Sequence, residues 1–269
     1  MRRLSKVEIR VQYSGFIIFA AQILSMASGV TFTLLLSRNM TKQQYGIWSN
    51  IFDLIGYFVL FSGLFPFWVT RFVAYGKEGA VKTGLLANMI VSLVSVALYF
   101  PLISLVTSAL YISGPYVIVY FVASVQIINL HLIGVLESCL RGMKPQAIGY
   151  GLLIEETCKV SLAYVLIVML HQLFLGAMVS LVVAASIQAL YYTRLLTKDL
   201  RQRIQWNYLR EWLKGSTANF YNAVGSQMAA FIFILLFVYG GQAARADYQA
   251  AATFANIVGY SSFLAFALY

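Results

Sequence analysis

Apolar residues in this chain come in long runs separated by short polar segments. Eight runs stand out, at Ser14–Leu36, Tyr45–Val69, Val81–Val106, Tyr116–Leu136, Ala147–Leu170, Phe174–Leu196, Ser216–Tyr239 and Tyr248–Tyr269. Each is near or above the ~20 residues that a helix needs to cross the hydrocarbon core of a bilayer. The pattern predicts an all-α polytopic membrane protein with about eight transmembrane helices. Composition strengthens this expectation: 61% of the 269 residues are hydrophobic and 10% charged. A soluble domain is about a quarter charged and just under half apolar, and no single soluble core hides such an excess.

The net charge of +10 would suit a nucleic-acid partner, but its distribution points elsewhere. The segments between runs alternate in basic content. Arg2, Arg3, Lys6 and Arg10 precede the first run; Arg71, Lys77 and Lys82 follow the second. Arg141 and Lys144 follow the fourth, and Arg194, Lys198, Arg201, Arg203, Arg210 and Lys214 follow the sixth. Those 15 residues fall on one side, against Arg38, Lys42 and Arg245 on the other. By the positive-inside rule the N-terminus is expected in the cytoplasm, with the chain in the cell membrane. The charge reflects topology and leaves no call for nucleic acid. The first run is too long for the apolar core of a cleaved signal, so it is expected to stay as a span. Cys139 and Cys158 fall where the compartment is reducing, and no Cys/His spacing suggests zinc.

A weak internal repeat runs at an offset of 203 residues. YGIWSNIFDLIGY (45–57) aligns without gaps to YQAAATFANIVGY (248–260), with Tyr45/Tyr248, Gly56/Gly259 and Tyr57/Tyr260 identical and Asp53 over Asn256. The same offset lays the first span over the seventh. Six spans separate the copies, so both run in one direction, as in two-lobed transporters with parallel repeats. The expected organisation is a six-helix lobe over 1–196, an amphipathic connector over 197–215, and the first two helices of a second lobe over 216–269. The chain stops at FLAFALY, inside an apolar run, which suggests a piece of a longer protein. In the connector Leu196, Leu200, Ile204, Tyr208 and Trp212 recur every four residues among Arg and Lys, the pattern of a helix lying at the cytoplasmic interface.

Charges inside the spans carry the candidate chemistry. Glu155, Glu156 and Lys159 sit in the fifth span, Glu155 eight residues from its start, about 12 Å into a core of ~30 Å. Lys159 stands four residues after Glu155, the favourable order for a helical pair, and three after Glu156; either pairing leaves one spare negative charge. Intramembrane ionisable groups mark paths for polar head groups or ions. Asp53 is alone in span two, suited to ion binding or to a buried hydrogen bond. Asn219, Asn222 and Ser226 form a polar stripe on span seven that meets other helices or lines a cavity. Ala21, Ser25 and Gly29 form a small-residue stripe on span one, the signature of a close helix contact. His131 offers either a proton relay or a satisfied hydrogen bond, and Pro66 and Pro101 are candidate kinks. No catalytic motif and no cofactor-binding motif appear, so no enzyme is expected.

The stretch from Ser14 to Gly79, with Tyr45-Gly46 entering span two and Thr70-Arg71-Phe72-Val73-Ala74 at its end, resembles the opening of Wzx-type oligosaccharide flippases. So does LRGMKPQAIGYGLLIEETCKVSLAYVLIV, with Arg141-Gly142 at a turn followed by Glu155 and Lys159. These flippases share a superfamily, the multidrug/oligosaccharidyl-lipid/polysaccharide (MOP) exporters, with MATE multidrug exporters. The resemblance implies two six-helix lobes around a cavity and alternating access for a lipid-linked oligosaccharide in surface polysaccharide or glycoprotein biosynthesis. Expected partners are membrane lipids, the lipid-linked saccharide and a coupling ion, H⁺ or Na⁺. An anionic diphosphate head would meet Lys159 in the cavity and Arg71, Arg141 and Lys144 at the cytoplasmic mouth. The alternatives are a MATE-like cation antiporter, which the absence of an acid in span one disfavours, and a non-transporting truncated membrane protein.

Overall fold

A computed structural model of the chain describes residues 11–112 and 114–267, which are almost wholly helical with no strand among them. The helices are α1 (Val11–Asn39), α2 (Lys42–Val59), α3 (Pro66–Ala74), α4 (Ala80–Ala109), α5 (Pro115–Met143), α6 (Gln146–Ala163), α7 (Leu173–Leu195), α8 (Thr197–Leu200), α9 (Trp206–Gly215) and α10 (Thr217–Ala267). Arg2, Arg3, Lys6 and Arg10 lie outside the described residues. So do the side chains of Asn219, Asn222, Ser226 and Asn256.

Among the described residues, five segments are long and apolar enough to cross a membrane: Tyr13–Asn39, Lys42–Ala74, Ala80–Ala109, Pro115–Met143 and Leu173–Leu195. α6 is set apart by three charges in its 18 residues, and it runs on through a wider π-type turn at Tyr164–Met169. α1 gives way to α2 within two residues because Thr41 caps α2. Its hydroxyl accepts from Gln44 N at 3.2 Å while the Gln44 side chain accepts from Thr41 N at 2.9 Å, a reciprocal capping box. Span two is broken rather than bent. A 3₁₀ turn at Leu60–Gly63 precedes Pro66, which opens α3 at a position where its missing N–H costs nothing. Pro101 lies inside α4 without interrupting it.

α10 is two helices in one. Gly241 has φ 75° and ψ 179°, a conformation open to glycine alone. The rings of Phe233 and Tyr248 lie 5.1 Å apart, whereas fifteen residues of straight helix would separate them by about 22 Å. The chain therefore folds back at Gly241 into a hairpin with arms 217–240 and 242–267. The connection of several residues expected between spans seven and eight is reduced to this turn.

α5 is the hub of the bundle, packing on α2, α3, α4 and α7; α1 lies along α6, and the α10 hairpin lies along α2. Trp48, Ile51, Tyr99, Tyr120, Ile127 and Met178 belong to a core near the α1–α2 end. Val69, Val135, Leu140, Tyr192 and Trp212 belong to a second core toward the α3–α4 end. The connector differs from the single interfacial helix expected. It divides into α8 and α9, and its apolar stripe faces the bundle rather than lipid: Leu196 and Trp212 are buried, Trp212 within 5.4 Å of the Phe72 ring. The break over 201–205 serves α4. The Gln202 side chain accepts from Gly79 N at 2.5 Å, and Gln205 N donates to Thr83 Oγ1 at 2.9 Å.

Candidate functional site

Part of the small-residue stripe of α1 lies against α6: Ala21 is fully buried and Ser25 bonds across to α6, whereas a Cβ on Gly29 would meet open space. A Cβ added to Gly149 on α6 would stand 2.8 Å from the Ile17 side chain. This approach lets two α1 hydroxyls reach a carboxylate on α6. Ser25 Oγ donates to Glu156 Oε1 at 2.8 Å, and Ser28 Oγ donates to Glu156 Oε2. Lys159 Nζ lies 2.5 Å from Glu156 Oε2, with both side chains 10% exposed. Of the two pairings open in the sequence, the three-residue one forms, and Glu155 is the spare charge. The Lys159 ammonium also lies 5.9 Å from the Phe32 ring centroid, within cation–π range. Hydroxyl donors and an ammonium together match the carboxylate, which is the condition for keeping a charge out of water.

Glu155 belongs to a different neighbourhood. Neighbouring residues in a helix point about 100° apart, so it turns from α1 toward α5 and α7. There it lies within electrostatic reach of Glu137 and Tyr192, while Lys159 and Glu156 on its own helix remain its stronger electrostatic neighbours. The Tyr192 hydroxyl is 3.2 Å from Glu137 Oε1 and 3.0 Å from the Ile148 carbonyl, and it accepts from Gln188 Nε2 at 3.0 Å. Gly151 makes this possible: a Cβ there would stand 2.1 Å from the Tyr192 ring. Gln188 Oε1 is buried with no hydrogen-bond partner among the described residues. α6 thus carries a matched charge pair on one face and an acceptor-rich set on the other. Ser28, Glu137, Gln188 and Tyr192 were not singled out in the sequence. Glu137 fell just past the assigned end of span four at Leu136; α5 runs on to Met143, which brings the carboxyl inside the bundle.

The other candidates are spread out. Asp53 pairs with Arg245 of the hairpin, a residue that the charge pattern assigned to a connecting segment. Arg71 is exposed over the Phe67 ring at 4.3 Å, and Arg141 and Lys144 are exposed at the same end of the bundle. None of these three joins the Glu156–Lys159 cluster. Asn219, Asn222 and Ser226 lie outside the described side chains. His131 is fully buried with Nδ1 2.9 Å from the Ile127 carbonyl, apart from either set. Among the described residues no group of three or more His, Cys, Asp or Glu is placed to hold a metal ion.

The two stretches that carry the flippase resemblance meet in space. Gly142 packs 3.2 Å (as a built Cβ) from Thr70 O and Ala74 N, and Thr70 Oγ1 donates to Ser138 O at 3.0 Å. A larger residue at 142 would require α3 and α5 to part by a few tenths of an ångström.

No family model matches the chain, and no curated protein matches it. Solved structures do. A MOP superfamily transporter from Pyrococcus furiosus matches at a TM-score of 0.64 and 14% identity, over 91% of this chain and 60% of that one. An inward-facing multidrug resistance MATE family transporter matches at 0.67 and 13% identity, over 88% and 60%. A MATE protein in complex with MaL6 matches at 0.66 and 15% identity, over 90% and 59%. The chain has the MOP transporter fold and spans about 60% of the length of these structures.

Proposed function

We propose that this chain forms one lobe and the first hairpin of a transporter that carries lipid-linked oligosaccharide across the cell membrane by alternating access, with the N-terminus in the cytoplasm. The lobe is 1–196, the connector 197–215 and the start of the second lobe 216–269. The observation that carries a transport role is the hydrogen-bonded Glu156–Lys159 pair with the spare charge of Glu155 beside it in α6, placed within a bundle of membrane-length helices. Charges at that depth are costly and are kept where they serve a polar path. The MOP fold supports alternating access, and the resemblance in the Tyr45-Gly46, Thr70–Ala74 and Arg141-Gly142 stretches supports a saccharide-bearing lipid. In this scheme Glu155, Glu156 and Lys159 bring α6 to the path from two of its faces, and Arg71, Arg141 and Lys144 receive the anionic head at its cytoplasmic mouth. Asn219, Asn222 and Ser226 are further candidates for the path from their polar stripe in the sequence.

Depletion of the protein in its host tests this. Lipid-linked oligosaccharide should accumulate on the cytoplasmic face while surface saccharide falls, and the unaltered gene should restore both. Unchanged lipid-linked intermediates would refute the substrate.

One observation favours a second reading, cation exchange. Glu137, Glu155, Tyr192 and Gln188 offer mainly acceptor oxygens on one face of α6, which suits H⁺ or Na⁺. Everted vesicles taking up an organic cation against an H⁺ or Na⁺ gradient, with loss of uptake in Glu155→Gln, would support it over the saccharide substrate.

A further inference from the structure

Asp53 and Arg245 lie 192 positions apart in sequence and meet as a two-pronged ion pair, Nε to Oδ2 at 2.8 Å and Nη2 to Oδ1 at 2.7 Å. Their side chains are 10% and 3% exposed. Gln249 Oε1 accepts from Arg245 Nη1 at 3.0 Å, and the guanidinium lies 5.0 Å from the Phe233 ring, so each of its faces and edges is engaged. The pair joins α2, in the six-helix lobe, to the hairpin, and the surrounding contacts tighten toward the α1–α2 end. A Cβ on Gly46 would stand 2.0 Å from the Gln242 carbonyl oxygen, so the two backbones touch. Beyond them, at the rim, Lys42 meets Asp247 at 2.7 Å with both side chains more than half exposed. A cavity of about 260 Å³ adjoins the pair, lined by Phe32, Trp48 and Ser49 on the lobe and Gln249 and Thr253 on the hairpin.

Toward the other end the same interface changes character. Tyr57, Leu60, Val224, Gln227, Met228 and Phe231 border an open, mainly apolar pocket of about 250 Å³. The α2–hairpin contact is thus ion-paired at one end and mainly apolar, with an open pocket, at the other, where the Gln227 amide packs close to Gly56.

We infer that Asp53–Arg245 is a latch that holds the hairpin on α2 and shuts the adjoining cavity at the α1–α2 end. The physics suits a two-state contact. A dry, bidentate carboxylate–guanidinium pair is strong while water is excluded. Once the interface parts, both ions regain hydration, so opening leaves no charge stranded. An apolar contact at this position would have no such compensation in the open state. The exposed Lys42–Asp247 pair is screened and adds little strength; it marks the seam. The latch rests on the transport reading, since only a protein that opens alternately needs one, but it does not depend on the substrate.

The test uses the full-length protein in membranes, carrying Ser49→Cys with Cys158→Ser. Ser49 is buried in the cavity wall, and its hydroxyl bonds only its own helix at Tyr45 O, so cysteine fits there. Alkylation of residue 49 by a membrane-impermeant maleimide, applied from the α1–α2 side, is read by mass spectrometry. Asp53→Asn should raise the rate at least tenfold. Oxidative cross-linking of an added Lys42→Cys/Asp247→Cys pair should return it to the slow rate. General loosening of the fold would not be reversed by that cross-link. If Asp53→Asn fails to insert, Asp53→Asn/Arg245→Gln, which leaves no orphan charge, should show the same acceleration and the same reversal. Equal rates with and without the latch, or an acceleration that the cross-link leaves unchanged, would overturn the proposal. Either outcome leaves the saccharide question to the depletion experiment.

Discussion

Glu156 receives hydrogen bonds from Ser25 and Ser28 and pairs with Lys159, so the charge buried between α1 and α6 is internally matched. Removing the ammonium alone strands a carboxylate. Lys159→Ala is expected to cost about 3–5 kcal/mol, whereas Glu156→Gln/Lys159→Met, which removes both charges, should cost much less. Thermal unfolding of the detergent-solubilised variants separates the two. Lys159 therefore enters any path as half of a neutral pair and not as a free cation. Gly151→Ala should also destabilise, by about 1–3 kcal/mol, because the added methyl falls 2.1 Å from the Tyr192 ring; a compensating Tyr192→Phe would not relieve it, since the ring itself is in the way. The chemistry of Glu155, Glu156 and Lys159 was legible as a conflict between charge and depth in one apolar run. Their partners were not, because serines on α1 and a carboxyl on α5 come into reach only through packing.

At the level of elements, the connector and the hairpin are the informative cases. The four-residue stripe from Leu196 to Trp212 is compatible with either a lipid surface or a protein groove, and periodicity carries no information about which one it meets. Trp212 settles it by filling the space beside Phe65, Phe72 and Tyr208. Trp212→Ala should cost about 3–5 kcal/mol and speed proteolysis within 201–205, since α9 would lose its seat. The hairpin depends on close backbone approach in the same way. Gly46→Ala places a methyl on the Gln242 carbonyl, so cross-linking of Lys42→Cys to Asp247→Cys should fall sharply. An unchanged cross-linking yield would show that the hairpin adjusts without leaving α2.

Over the whole molecule, similarity at 13–15% identity shows that the MOP fold tolerates almost complete exchange of side chains. What the fold needs within this chain is close helix contact, as where Gly142 packs against Thr70 and Ala74. Orientation is testable on the same scale. In intact cells Lys42→Cys should label with an impermeant maleimide, and Lys77→Cys only after permeabilisation. Both positions are exposed, so topology alone decides the result. The reverse pattern would turn the chain over and move the latch to the cytoplasmic side.

By itself the sequence determined the all-α, membrane-spanning class and the alternation of basic and poorly charged segments between its apolar runs. Run length against bilayer thickness and the cost of moving cations across the membrane are one-dimensional constraints, and the chain states them directly. Tertiary structure alone decided that Glu156 and not Glu155 takes Lys159, that Asp53 answers Arg245 across 192 positions, and that Glu137 lies within the bundle. Those outcomes depend on the rotation and depth of each helix against its neighbours. Both are set by how small residues such as Ala21, Gly46, Gly142 and Gly151 let the helices approach, and no local periodicity encodes that.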